Sequence, residues 1–149
     1  MKVRKSAMLI STKGRYALRV MLELSDHDRD EYVPLSVIAK KQEISEKYLE
    51  SILVVLSKAG AIDALRGKGG GYRLNRDPKD YTIGGILRLV EGSLAPVTCL
   101  DCKPNSCART VECRTLPLWE KLYALIENYL DGVTLADLND TSRIGDYQI

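Results

Sequence analysis

At 149 residues and a formal net charge of +2, the chain is sized for one domain able to bury about two-thirds of its unfolded-state surface. The near-neutral total hides an asymmetry: residues 1–75 hold 14 Lys and Arg against 9 Asp and Glu, whereas residues 76–149 hold 8 against 11. A basic half points to a polyanionic partner. No apolar run approaches the ~20 residues of a membrane span, and Ala7 to Ile10 is too short for the core of a signal peptide, so a cytoplasmic chain without a membrane partner is expected.

From Ser11 the spacing of Tyr16, Ala17, Val20, Met21 and Leu24 predicts a helix to about Asp28, with Ser11 or Thr12 as its cap. An acidic turn follows. Pro34 suits the start of a second helix, Leu35 to Lys41, whose Leu35, Ile38 and Ala39 share a face. Ser45 can cap a third helix ending near Ala59, with Gly60 placed to close it. Its period sends Tyr48, Leu49, Ile52, Val55, Leu56 and Ala59 inward and Lys47, Glu50, Ser51, Val54 and Lys58 outward. The outward set suits a major groove: a glutamate accepts from the cytosine amino group, a serine pairs with several base edges, and a valine methyl lies against thymine's. Lys47 and Lys58 suit phosphates. The competing reading is an ordinary solvated helix face.

Ala61 to Leu65, a glycine turn and Tyr72 to Leu74 then predict a two-stranded wing. Four glycines in Gly67-Lys68-Gly69-Gly70-Gly71 give up side-chain packing, which fits a tight tip or a close approach to another molecule. With Arg66 and Lys68 beside it the tip suits a minor groove, where negative potential is concentrated; a plain hairpin loop is the alternative. A phosphate-binding P-loop is excluded because a strand, not a helix, follows.

Asp77-Pro78 marks a boundary, and Thr82 can cap a short helix through Ile83, Ile86, Leu87 and Val90. A cysteine loop fills Gly92 to Cys113. A longer helix, about Arg114 to Leu130, carries Leu118, Trp119, Leu122, Leu125, Ile126 and Tyr129 as a bulky stripe that faces either a second subunit or the chain's own core. The expected fold is mainly α with a small β wing. Residues 8–75 form a winged helix-turn-helix domain, residues 76–138 the cysteine loop and dimerisation helices, and residues 139–149 a polar, frayed tail.

Cys99, Cys102, Cys107 and Cys113 are the chain's only cysteines. In a reducing compartment such clustering points to metal binding or redox sensing rather than structural disulfides. Thiolates hold either an iron–sulfur cluster or tetrahedral zinc. Zinc ribbons separate their cysteine pairs by about a dozen residues or more, and the short gap between Cys102 and Cys107 favours the cluster. Cys99-Leu100-Asp101-Cys102 lacks the helix-opening setting of a thiol–disulfide enzyme, so the chain is not expected to be an enzyme. His27, the sole histidine, is expected at the surface.

Ser11-Thr12-Lys13-Gly14-Arg15-Tyr16-Ala17, Ile44-Ser45-Glu46-Lys47-Tyr48-Leu49-Glu50 and Arg66-Gly67-Lys68-Gly69-Gly70-Gly71-Tyr72 together resemble the iron–sulfur cluster regulator (IscR) family of winged-helix repressors, and the related cysteine-metabolism repressor (CymR) branch. The likeness runs from about Ile10 to Leu138, with residues 1–7 an extension and Met8 an alternative initiator. The resemblance implies a homodimeric bacterial transcription regulator binding a palindromic double-stranded DNA operator of iron–sulfur or cysteine-metabolism genes. It implies DNA contacts from Thr12 and Lys13, from Ser45, Glu46, Lys47, Tyr48, Glu50 and Ser51, and from Arg66, Lys68, Gly69 and Gly70. Cluster-binding members carry three cysteines, the last pair spaced as Cys107 and Cys113 are. The first is matched by Cys99 in neighbourhood and by Cys102 in spacing. Some members add a histidine where this chain has Leu116, so the fourth ligand differs and the extra cysteine can supply it. A 2Fe–2S cluster is the favoured cofactor and zinc the alternative. The rival function is a cluster-free repressor governed by a partner enzyme of cysteine metabolism.

Overall fold

The computed structural model describes residues 10–101 and 108–140. Helix α1 spans Thr12–Ser25, α2 Leu35–Gln42 and α3 Glu46–Lys58. Strands β1, Ile62–Leu65, and β2, Gly71–Leu74, form the wing. A 3₁₀ turn at Pro78–Asp80 leads to α4, Ile83–Glu91; α5 is Leu116–Asp131 and α6 Leu135–Asn139. Among the described residues no helix is long and apolar enough to cross a membrane.

The helix starts are set by side-chain caps. The hydroxyls of Ser11, Ser45 and Thr82 accept from the backbone N–H groups of Gly14, Tyr48 and Gly85 at 3.0–3.2 Å, satisfying donors that a helix's first turn otherwise leaves orphaned. Helix α1 stops at Ser25, three residues short of the expected Asp28, and in the turn that follows the Asp28 side chain accepts from Asp30 N–H at 3.1 Å. Between α2 and α3, Glu43 takes a left-handed conformation (φ 54°, ψ 45°), which costs a side-chain-bearing residue about 1–2 kcal/mol and makes the helix-turn-helix corner tight.

One core unites these elements. Val20 and Met21 of α1, Ile38 of α2, and Leu49, Ile52, Leu53 and Leu56 of α3 are fully buried together with Leu135 of α6, each contributing about 1.5–3 kcal/mol on leaving water. Ile83, Ile86 and Leu87 of α4 join the same cluster. The inward face of α3 differs from the expected one: Leu53 is buried, Val55 is half-buried and Ala59 is exposed. The cause is that α3 packs on both α1 and α4, so its buried arc is centred nearer Leu53, and Ala59 lies beyond the last helical turn.

The wing is antiparallel, with Ile62 opposite Leu74 and Leu65 opposite Gly71. It is stitched to the segment before α2, for Val33 and Tyr72 exchange backbone hydrogen bonds of 2.8 and 2.9 Å. A β-carbon at Gly71 would collide with the Val33 carbonyl, so glycine there is what lets the two backbones approach. At the wing's base the buried Tyr81 hydroxyl donates to the Ala61 carbonyl at 2.7 Å.

Helix α6 was not expected from the sequence. Thr134 and Asp137 form a reciprocal capping box, Leu135 N–H donates to the Tyr81 carbonyl at 3.0 Å, and Ile83 N–H to the Val133 carbonyl at 2.8 Å. These bonds return the chain to α1 and the 3₁₀ turn, so residue 139 ends a helix rather than opening a tail; residues 141–149 lie outside the described residues. Helix α5 starts at Leu116 rather than Arg114, with Pro117 in its first turn. Its C-terminal end is pinned to α4 by Arg88, which donates to both Asp131 carboxylate oxygens at 2.7 and 2.9 Å. The pairing raises the Arg88 pKa and lowers that of Asp131. The stripe on α5 divides: Trp119, Leu122 and Ile126 are half-buried, while Leu118, Leu125 and Tyr129 are 61%, 59% and 44% exposed.

Candidate nucleic-acid interface and cysteine loop

Two surfaces meet around the N-terminal half of α3. Lys47, Glu50, Ser51, Val54 and Lys58 all lie exposed along it, as do Ser45 and Glu46 at its start. The Ser45 hydroxyl is occupied as the helix cap, and Ser51 donates to the Tyr48 carbonyl at 2.6 Å, which leaves the serine oxygen able to accept further. Glu50, Val54 and Lys58 line a groove of about 560 Å³ whose other side is Leu65, Arg66 and Gly67 of the wing. Glu50 and Arg66 therefore share one groove. Lys68 and Gly69 project at the wing's exposed turn with Gly70 half-buried behind them, and Gly70 N–H donates to Gly67 at 3.0 Å.

Tyr48 is half-buried, and its ring meets Tyr16 of α1 edge-on at 5.8 Å. That contact brings the polar face of α1 beside the start of α3. Thr12 is exposed and accepts from Arg15 at 3.1 Å; Lys13 is half-buried. Arg19 lies 4.8 Å over the Tyr16 ring and donates to the Gln42 side chain and carbonyl at 3.0 and 2.8 Å. Thr12, Arg15, Tyr16 and Arg19 line a recess of about 200 Å³. Arg15 and Arg19 were not singled out from the sequence. Their i, i+4 spacing around Tyr16 places two guanidinium groups on one helix face, which was the available signal.

Beneath this face α1 is tied to the helix-turn-helix by a buried carboxylate. Glu23, 6% exposed, lies 3.1 Å from His27 Nε2, 3.2 Å from Lys41 Nζ and 3.3 Å from Gln42 Nε2. Burial raises its pKa, but the hydrogen bonds from His27, Lys41 and Gln42 and the Lys41 charge outweigh that and hold it below the ordinary value. His27 is thus not the surface residue expected: its side chain is 19% exposed, drawn in by Glu23 one turn earlier.

The cysteine loop joins the end of α4 to the start of α5. Cys99 sits in a 3₁₀ turn, Thr98–Leu100, and Cys113 lies just before α5; both are half-buried free thiols. Cys102 and Cys107 lie outside the described residues. The Cys113 sulfur is 3.4 Å from the Thr115 hydroxyl. That hydroxyl, with the Thr115 and Leu116 backbone N–H groups and the Arg109 charge, lowers its pKa toward the thiolate. The Asp101 Oδ1 atom is buried with no hydrogen-bond partner. Among the described residues no three potential ligands converge on one point. The donor types in view, two free thiols, one eased toward thiolate, and an orphaned carboxylate oxygen two residues after Cys99, are those of a thiolate-held metal group.

A helix-turn-helix with a basic, glycine-tipped wing, followed by a cysteine loop and a partly exposed apolar helix, defines a winged-helix DNA-binding transcription regulator. Residues 10–141 match the Rrf2 family, iron-dependent transcriptional regulators, and the chain belongs to that family. It is 35% identical over 144 residues to the HTH-type transcriptional regulator IscR of Aliivibrio salmonicida, covering 95% of this chain and 84% of that one. It is 38% identical over 131 residues to IscR of Photobacterium profundum, covering 88% and 75%. Among solved structures it is similar to T. potens IscR (36% identity, TM-score 0.71, 96% of this chain and 94% of that one). A similar likeness holds to CymR, the global cysteine regulator of B. subtilis (34%, TM-score 0.71, 89% and 97%). These relatives regulate transcription and are not named as enzymes.

Proposed function

We propose that two copies of this chain, paired through α5, read a palindromic operator of iron–sulfur or cysteine-metabolism genes and repress transcription in the cytoplasm. In this division of labour residues 8–75 read DNA and residues 76–138 sense and dimerise. Glu50 and Ser51 read base edges, with Ser45, Glu46 and Tyr48 at the helix entry. Thr12, Lys13, Lys47, Arg66 and Lys68 meet phosphates or the minor groove, and Gly69 and Gly70 let the wing tip approach closely. Arg15 and Arg19 extend the phosphate-binding face.

Cys99, Cys102, Cys107 and Cys113 would hold an iron–sulfur cluster, 2Fe–2S in the favoured form, with their thiolates. Such a group supplies a centre that is gained, lost or oxidised as iron and redox conditions change. The observation that carries this reading is the pair of free thiols, Cys99 and Cys113, in the segment that joins α4 to α5. A regulator needs different DNA affinity in its two states, and the loop's position between the reading head and the pairing helix supplies the link. The test is to purify without oxygen, record visible absorption, iron and acid-labile sulfide, and compare DNA affinity of reconstituted and metal-free protein. A colourless protein that takes up neither iron nor sulfide would sink the cluster, and zinc in its place would make the site structural. The likeness to CymR over 97% of that chain supports the second reading, a cluster-free repressor controlled by a partner enzyme, which predicts a colourless, DNA-competent protein.

A further inference from the structure

The end of α4 holds the beginning of α1. Glu91 is the last residue of α4, and Gly92 (φ 83°) opens the cysteine loop directly after it. One oxygen of the Glu91 carboxylate, Oε1, accepts both from the Ser11 backbone N–H at 2.9 Å and from the Ser11 hydroxyl at 2.6 Å, across 80 residues of sequence. The same hydroxyl accepts from Gly14 N–H at 3.1 Å. A continuous path thus runs from the loop's first anchor, through one carboxylate and one serine, into the first turn of α1. Gly14 is part of the fit, since a β-carbon there would strike Glu91 Oε1. Thr12, Arg15 and Tyr16 stand within that turn or beside it.

We infer that Glu91 is a positioning residue that carries the state of the cysteine loop to the DNA-facing end of α1. This rests on the cluster-sensing reading above. A carboxylate oxygen that accepts two charge-assisted hydrogen bonds from one residue ties the end of α4 to Ser11. Ordering or releasing the loop tugs on Gly92, hence on Glu91. A change there resets the Ser11 cap and, with it, the Thr12 and Arg15 side chains. Arg88 and Asp131 fix the C-terminal end of α5, the end away from the loop, on α4.

The test uses the full chain, metal-free and reconstituted with iron and sulfide, on a duplex selected from a random-sequence pool by the wild-type protein. The readout is the ratio of DNA affinities in the two states, about 5- to 150-fold for ordinary coupled sites. Glu91→Ala is expected to keep the visible absorption of the loaded form while the ratio collapses to within about twofold of one. Glu91→Gln retains an acceptor for Ser11 and is expected to keep the wild-type ratio. Ser11→Gly removes the hydroxyl while leaving a residue tolerated at a helix cap, reads the same contact from its other end should Glu91→Ala fold poorly, and is expected to lose part of the ratio. An undiminished ratio in Glu91→Ala, or equal losses in the Ala and Gln variants, would overturn the relay. A wild-type ratio of one with a full cluster complement would overturn the sensing function and the relay together.

Discussion

In the head, polar side chains find partners nearby: Ser45 caps α3, Arg19 holds Gln42, and the buried Glu23 is shared among His27, Lys41 and Gln42. Between α4 and α5 the described residues hold thiols outside any disulfide at Cys99 and Cys113 and an orphaned oxygen on Asp101, and on α5 itself Leu118 and Leu125 are more than half exposed. Buried polar atoms without partners and contiguous exposed apolar side chains are both costly to leave as they stand. The contrast teaches that the winged-helix head is largely satisfied by its own contacts, whereas under the proposed function the stretch from Cys99 through α5 is the part that a cofactor and a second subunit would complete.

The sharpest way to break this contrast is to truncate one apolar side chain in each region. Ile52→Ala, in the fully buried face of α3, is expected to cost about 2–5 kcal/mol in denaturant unfolding. Leu125→Ala is expected to leave the unfolding free energy of the separated subunit within about 0.5 kcal/mol while weakening self-association in sedimentation; unchanged association would remove α5 from the pairing surface. Next in size, Glu50→Ala is expected to cost about 1–3 kcal/mol of discrimination at a single base pair. Lys68→Ala should instead weaken binding to all sequences and lower the salt slope by about one. Uniform weakening by both would deny Glu50 its role as a base reader.

A smaller effect tests the clamp under the head. Because the Glu23 pKa is held below its ordinary 4.5, the unfolded chain takes up this proton first as the medium is acidified. The clamp's stabilisation is therefore fully present above that value and is lost as pH falls through the lower folded pKa. Glu23→Gln should flatten this acid limb of a stability-versus-pH curve without altering it near neutrality in slope; an unchanged limb would show that other carboxylates dominate it. Smallest of all, Glu43→Gly should relieve the left-handed corner and raise stability by about 0.5–1 kcal/mol in thermal unfolding.

The parts of the fold legible in the sequence were those with a local cause. Ser45 and Thr82 announced their helices, and Ala61 to Leu74 announced the wing, because caps and turns act within a few residues. The outward face of α3 was legible too, since Lys47, Glu50, Ser51, Val54 and Lys58 follow a helical period. What escaped depended on distant contacts. Leu53 was missing from the inward set because α4 packs behind α3, and His27 was placed at the surface although a buried carboxylate one turn earlier draws it in. Helix α6 carried a readable Thr134-to-Asp137 cap but was too short to show a period. Arg15 and Arg19 carried a readable i, i+4 spacing, but its meaning came with the Tyr16–Tyr48 contact that brings α3 against α1. The Glu91 contact with Ser11 spans 80 residues, a distance at which a single sequence carries no pairing signal.

The Val33–Tyr72 stitch carries a consequence for target geometry. Because the wing is fastened to the strand-like entry of α2 on one side and closed by Tyr81 on the other, α3 and the wing form a caliper whose gape those bonds hold. A target whose grooves are compressed or spread must deform to suit the jaws, so stiff and pliant sequences of identical contacted bases will be graded differently. In a paired assembly, adjustment would fall to the spacing between two such calipers rather than to either one.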